Sequence, residues 1–304
     1  MTYSIVARDP ATEQLGVGCE SHFFAPGAGV TRADPGVGAV ATQAFVDGRY
    51  AAAGMAALAA GRPAAEVLDD LLRTDPHPQV RQVALVGRSG DAASWTGGAC
   101  IGFCGGIIDG AVAVQGNMLA SDRVLPDMLA AYLSSFGDLA ERVMAAMEAA
   151  EAAGGDVRGS QGASLVVVDG DQVDDPWNHR PVDLRVDDHP DPVGELRRLL
   201  GQRRAFDAVS STMFAPGLMV GPYREPESGD RDRALARLGV AAEVMEGNPE
   251  ADFWAGVLLA RSGDRTAARE RLAGPLRINP RLHDFLERVA EAGFLDRDRI
   301  EELR

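Results

Sequence analysis

The chain has 304 residues, a formal charge of −15, 46% hydrophobic and 25% charged residues. That is enough apolar material for two domains, or for one large domain with an appendage. The acidic excess excludes a nucleic-acid partner and argues against an anionic membrane surface, because both require a basic footprint.

All 30 basic residues are arginine. Without lysine there is no Schiff-base catalysis, no Walker-type phosphate lysine and no Ser-Lys dyad, so a base must be histidine, a carboxylate or the chain's own amine. At the start of the chain, Arg8 and Asp9 interrupt the apolar run too early for a secretory leader. No uncharged apolar stretch reaches the length of a membrane span. Cys19, Cys100 and Cys104 are an odd set with no disulfide framework. A cytoplasmic protein is expected.

In chain order, residues 3–8, 14–20 and 37–43 are rich in Val and bounded by Pro and Gly, and are predicted as buried strands. Ala-rich helices follow at 51–60 and 64–73, with Pro63 at a first-turn position. Strands are predicted at 81–87, 91–96 and 110–115, the first two joined by a turn at Ser89-Gly90-Asp91. Helices at 121–134 and 138–152 end at Gly154-Gly155. Strands at 163–168 and 184–186 precede a helix at 192–204. Strand runs separated by helix pairs do not read as a βα alternation. They suit an α+β fold of two stacked antiparallel sheets between helical layers, spanning residues 1–205.

Residues 206–229 carry Gly217, Gly221-Pro222, Pro226 and Gly229, the composition of a linker. Residues 230–304 read as a small all-α domain. Asn248-Pro249 and Asn279-Pro280 recur 31 residues apart. Trp254, Ala255, Ala260, Ala267 and Ala268 sit roughly where a tetratricopeptide-like hairpin places its packing residues.

Position 2 is the most informative for chemistry. An initiator Met is normally trimmed before a small residue, which would leave Thr2 with a free α-amine beside its hydroxyl. Such an amine titrates at about 7.7 to 8.0, so a useful fraction is neutral at pH 7 and can take the hydroxyl proton. Most Met-Thr starts do nothing of the kind, so the surroundings decide.

Thr2 to Asp9 (Thr-Tyr-Ser-Ile-Val-Ala-Arg-Asp), Gly36 to Ala44, Val114-Gln115-Gly116-Asn117-Met118-Leu119, Gly154-Gly155-Asp156 and Asp183 to His189 resemble a family of unknown function grouped with the N-terminal-nucleophile (Ntn) hydrolases. The resemblance runs nearly continuously from 2 to about 200. It implies a four-layer αββα sandwich, and the helical tail resembles an extension labelled peptidoglycan-binding in some members. Fold alone does not carry function.

On such a fold, Thr2 would be the nucleophile. The backbone at Gly116 and the Asn117 amide are candidate oxyanion donors, unless Asn117 only turns the chain. Asp156 either orients the α-amine or simply pairs with Arg158. Ser21, Gln43 and Gln115, with Thr42, are candidate substrate-side polar groups at strand ends. Members of the family carry His where this chain has Gly106, and proteasome-like relatives use the lysine this chain lacks.

Asp187-Asp188-His189-Pro190-Asp191 reads as structural rather than metal-binding, with Asp191 capping a helix. Cys100 and Cys104 lack the second pair that a zinc site needs. No glycine-rich stretch has the context of a nucleotide loop.

The expected activity is hydrolysis of a small amide or acyl-nitrogen substrate through an acyl-enzyme, with no cofactor or metal called for. The alternative is a non-catalytic binding or scaffold protein whose tail recruits an unnamed ligand. A homo-oligomer stays open.

Overall fold

The computed structural model describes residues 2–303. The chain divides into two compact units, the first ending at Arg198 and the second starting at Leu199. No helix among the described residues is long and apolar enough to cross a membrane.

The described residues of the first unit hold ten strands. They are β1 (Thr2–Arg8), β2 (Leu15–Ser21), β3 (Thr31–Asp34), β4 (Gly38–Ala44), β5 (Arg81–Gly87), β6 (Ala92–Thr96), β7 (Gly105–Asp109), β8 (Val112–Asn117), β9 (Gly162–Val168) and β10 (Val182–Val186). Six form one antiparallel sheet in the order β10-β9-β2-β1-β8-β7, and four form a second in the order β3-β4-β5-β6. Helices α1 (Gly48–Ala59) and α2 (Ala64–Thr74) follow β4, and α3 (Val124–Ser134) and α4 (Leu139–Ala152) follow β8.

Central strands buried on both faces lose the exposure alternation of a half-exposed strand, and β1, β2 and β9 are buried along almost their whole length. The period of two still sorts their side chains. Along β1, Val6 joins the core shared with Ala39, Ala41 and Ala84 of the second sheet. Tyr3 points the other way and donates to Met147 O and Glu151 Oε1 on α4. The inter-sheet core is rich in alanine, so the sheets approach closely. On the helix side of β2, a Cβ at Gly18 would lie 2.8 Å from both Val143 Cγ1 and Met147 Sδ, so only glycine admits α4 this near. On the second sheet, Val40, Leu85, Met55, Leu58 and Leu68 form the layer against α1 and α2.

Two strands depart from the sequence expectation. β3 reads Thr-Arg-Ala-Asp and lacks an apolar pattern because it is an edge strand. β7 begins Gly105-Gly106, which looks like loop; yet a Cβ on Gly106 would sit 2.5 Å from Ser94 Oγ, so the pair is the condition for β7 to lie there. Asn117 closes β8 and pairs with Thr2 rather than standing in a loop.

Helix α5 runs over Pro192–Met213, past the expected end at 204. Its Asp191 cap is as expected, with Gly194 N donating to Asp191 Oδ1 at 3.0 Å. The second unit continues with α6 (Asp230–Val244), α7 (Glu250–Ser262), α8 (Arg265–Ile278), α9 (Leu282–Glu291) and α10 (Arg297–Leu303). Phe253 and Trp254 anchor it, with Phe285 and Phe294 against them. The segment expected to be a linker, 206–229, is helical to Met213, and beyond it Leu218 and Met219 are buried. Arg261 Nε donates to Leu218 O at 2.7 Å, tying that Gly- and Pro-rich stretch into the unit.

Candidate active site

Thr2 begins β1, one of the two central strands of the larger sheet, and faces the second sheet. Its Oγ1 donates to Ser21 Oγ at 3.1 Å, and its carbonyl accepts from Gln43 Nε2 at 2.9 Å. Ser21 Oγ also accepts from Phe23 N at 3.0 Å, which fixes the loop after β2. Thr2, Ser21 and Asn117 all line one cavity of about 690 Å³. That volume lies in the range of small-molecule sites. Met1, whose removal the nucleophile reading requires, lies outside the described residues.

The hub of the site is Gln82, which sequence reasoning passed over. Its fully buried Oε1 accepts from Gln43 Nε2 and from Asn117 Nδ2, each at 2.8 Å. Its Nε2 donates to Gly116 O at 2.7 Å, with Thr96 Oγ1 and Gly105 O at 2.9 and 3.0 Å. One amide therefore joins both sheets beneath Thr2. The Asn117 amide has two N–H groups, and Gln82 takes one of them.

The structure gathers the predicted residues unevenly. Gly116 does not reach the cavity: it lies in register with Tyr3 and Gly105, and its carbonyl takes the Gln82 amide. Gln115 is buried between the sheets, donating to Ser4 Oγ and Ala41 O at 3.2 and 3.1 Å. Thr42 Oγ1 is buried without a partner. Asp156 accepts from His22 N and Arg158 N at 3.1 and 2.8 Å, and pairs with the Arg158 guanidinium at 3.2 Å. It binds two loops beside Thr2, and Arg158 lines the cavity. Gly106, facing Ser94, has no room for a histidine.

Among the described residues no group of three or more His, Cys, Asp and Glu is arranged to hold a metal. Asp187 pairs with Arg185 at 2.9 Å and Asp188 takes the Gln161 amide. Cys19, Cys100 and Cys104 are free thiols, and burial pushes Cys19 up to about 12.

Two further features have no sequence signal. Among the described residues five non-glycine residues hold a positive φ, and three of them, Ala25, Ala44 and Met118, line the cavity. Left-handed backbone of this kind concentrates where a site dictates the chain path. Behind β1 lies a buried acidic cluster. Glu20 is wholly buried and neither carboxylate oxygen has a hydrogen-bond partner; the nearby Ser160 hydroxyl donates instead to Glu151 Oε2 at 2.7 Å. Burial first, then the charges of Glu151 and Asp156, raise Glu20 to about 9. Burial, with Glu20 and Glu151 beside it, also lifts Tyr3 well above the ordinary phenol value, so it stays a donor to Glu151.

No curated protein matches the chain. Among solved structures it is similar to protein SPO2555 from Silicibacter pomeroyi, a member of the family DUF1028, at 29% identity and a TM-score of 0.59 over 66% of this chain and 87% of that one. The family model described as a family of unknown function, DUF1028, matches residues 2–196. The chain with Thr2 at the head of its central strand therefore belongs to the DUF1028 family.

Proposed function

We propose that the first unit is an αββα sandwich of the Ntn-hydrolase kind and that mature Thr2 hydrolyses an amide or related acyl-nitrogen bond. The observation that carries this reading is the Thr2 hydroxyl at a cavity wall, on the first residues of a strand whose carbonyl and hydroxyl are both held. With α1 and α2 against one sheet and α4 against the other, the packing supports the layer order.

Once Met1 is gone, the α-amine of Thr2 takes the Oγ1 proton as that oxygen bonds to the substrate carbonyl carbon. The carbonyl π pair moves onto oxygen, and the second Asn117 N–H, beyond the one given to Gln82, is assigned as its side-chain donor. As the oxyanion collapses, the C–N bond breaks and the leaving nitrogen takes the proton from the α-ammonium. Water then adds to the Thr2 ester, with the same amine as base, releasing the carboxylic acid and restoring the hydroxyl. Ser21 and Gln43 position Thr2. Asp156 is assigned to holding Arg158 and the loop at His22, and Gly116 to carrying Gln82.

The test is hydrolysis of acyl p-nitroanilides by wild type, Thr2→Ser and Thr2→Ala. Turnover retained by serine and abolished by alanine is expected. Equal rates in wild type and Thr2→Ala would overturn the assignment.

A further inference from the structure

The walls above Thr2 have a character of their own. Three loops supply them. Residues after β2 give Phe23, Phe24 and Pro26, those after β4 give Phe45 and Val46, and those after β6 give Ile101. Phe23, Phe24, Phe45 and Ile101 are 71, 61, 63 and 57% exposed, a cost in hydration at a single mouth. They are not loose. Phe23 N is held by Ser21 Oγ, Phe45 O by Arg81 Nη1 at 2.7 Å, and Ile101 O by Met118 N at 3.0 Å. Among the described residues the lining contains no Asp or Glu, and its cation, Arg158, already faces Asp156. An ionic acyl chain would thus meet no fresh counter-charge, and a short polar one would leave the aromatic rings wet.

We propose that this cavity takes the acyl half of the substrate as an apolar chain or aryl group, so the substrate class is an N-acyl compound with a hydrophobic acyl part. The proposal rests on the Thr2 reading for the position of the scissile carbon, and on the collar alone for what lies beyond it. Each methylene buried against such walls is worth about 0.8 kcal/mol, or about fourfold in affinity.

The experiment titrates full-length Thr2→Ala with linear primary amides from acetamide to octanamide by calorimetry. In parallel, wild-type turnover is measured on the acyl p-nitroanilides of the same lengths. Sedimentation velocity is run on wild type, Phe24→Ser and Phe45→Ser. Affinity and kcat/KM both climbing about fourfold per methylene, with the slope flattened in the two serine variants, is the expected result. A climb in affinity without turnover at any length keeps the apolar site and overturns the hydrolase. Turnover with no chain-length dependence keeps the hydrolase and overturns the apolar assignment. A dimer that the serine variants dissolve, with flat affinities, also overturns it, since the collar would then be an interface between copies of this chain.

Discussion

At the scale of single residues, the account turns on two buried side chains. Gln82 is the only polar contact among those named that touches Gln43, Asn117 and Gly116 together. Gln82→Leu strands two buried amides and is expected to cost about 2 to 6 kcal/mol in guanidinium denaturation, at roughly 1 to 3 kcal/mol for each unsatisfied buried group. It should also slow acylation of Thr2, because the carbonyl of Thr2 and the side chain of Asn117 both lose their support. Glu20 acts through protonation. Its carboxyl sits at about 9 in the fold against 4.5 ordinarily, so the folded chain keeps a proton that the unfolded chain sheds. Stability from this group is therefore highest below about pH 4.5 and falls as pH rises toward 9. Glu20→Gln keeps the shape and removes the titration. Denaturation at pH 6 and pH 9 should show the variant gaining on wild type by about 4 kcal/mol as pH rises; parallel curves would refute the assignment.

At the scale of elements, the strands place the site and the loops are bolted to them. Arg81 opens β5, pairs with Asp75 at 2.7 Å and holds Phe45 O. Its guanidinium keeps Asp75 down at about 2. This contribution is complete above the ordinary 3.8 and disappears as pH falls toward 2. Arg81→Met should cost about 3 kcal/mol at pH 7, flatten that acid limb of the stability curve, and raise KM by freeing Phe45. Ala44, at φ 66, tests the strain. Ala44→Gly is expected to stabilise by up to about 1 kcal/mol and Ala44→Val to destabilise, read as opposite shifts in midpoint.

Most strands were legible because burial on both faces leaves long apolar runs, as in β5, expected and found at 81–87. Thr2 and Ser21 were legible because they lie at the ends of such strands, whereas Asn117, expected in the loop after residue 115, closes β8 itself. Gln82 was not, because a lone glutamine in a strand acquires meaning only when β4 and β8, remote in sequence, close around it. β7 was not, because its glycines answer to Ser94 across the fold rather than to local conformation. Gly116 is expected as a backbone donor, but ladder pairing and the Gln82 bond engage its backbone.

At the scale of the molecule, a lysine-free chain of charge −15 keeps positive charge at the candidate site to one paired arginine and, after trimming, one amine. An alanine-rich interlayer brings the two sheets close enough for single amides such as Gln43 and Gln82 to bridge them. That bridging holds a strand end, with the Thr2 hydroxyl, at the wall of an apolar chamber. The helical second unit has a hydrophobic core of its own, with Phe253 and Trp254 at its centre. Everything in the proposed mechanism depends on the state of the first residues, so the most direct measurement is intact mass of the purified chain before and after an electrophile that captures N-terminal threonine. The account predicts loss of Met1 and a single adduct on Thr2, absent from Thr2→Ala. Retained Met1, or a trimmed Thr2 that takes no label, would contradict it.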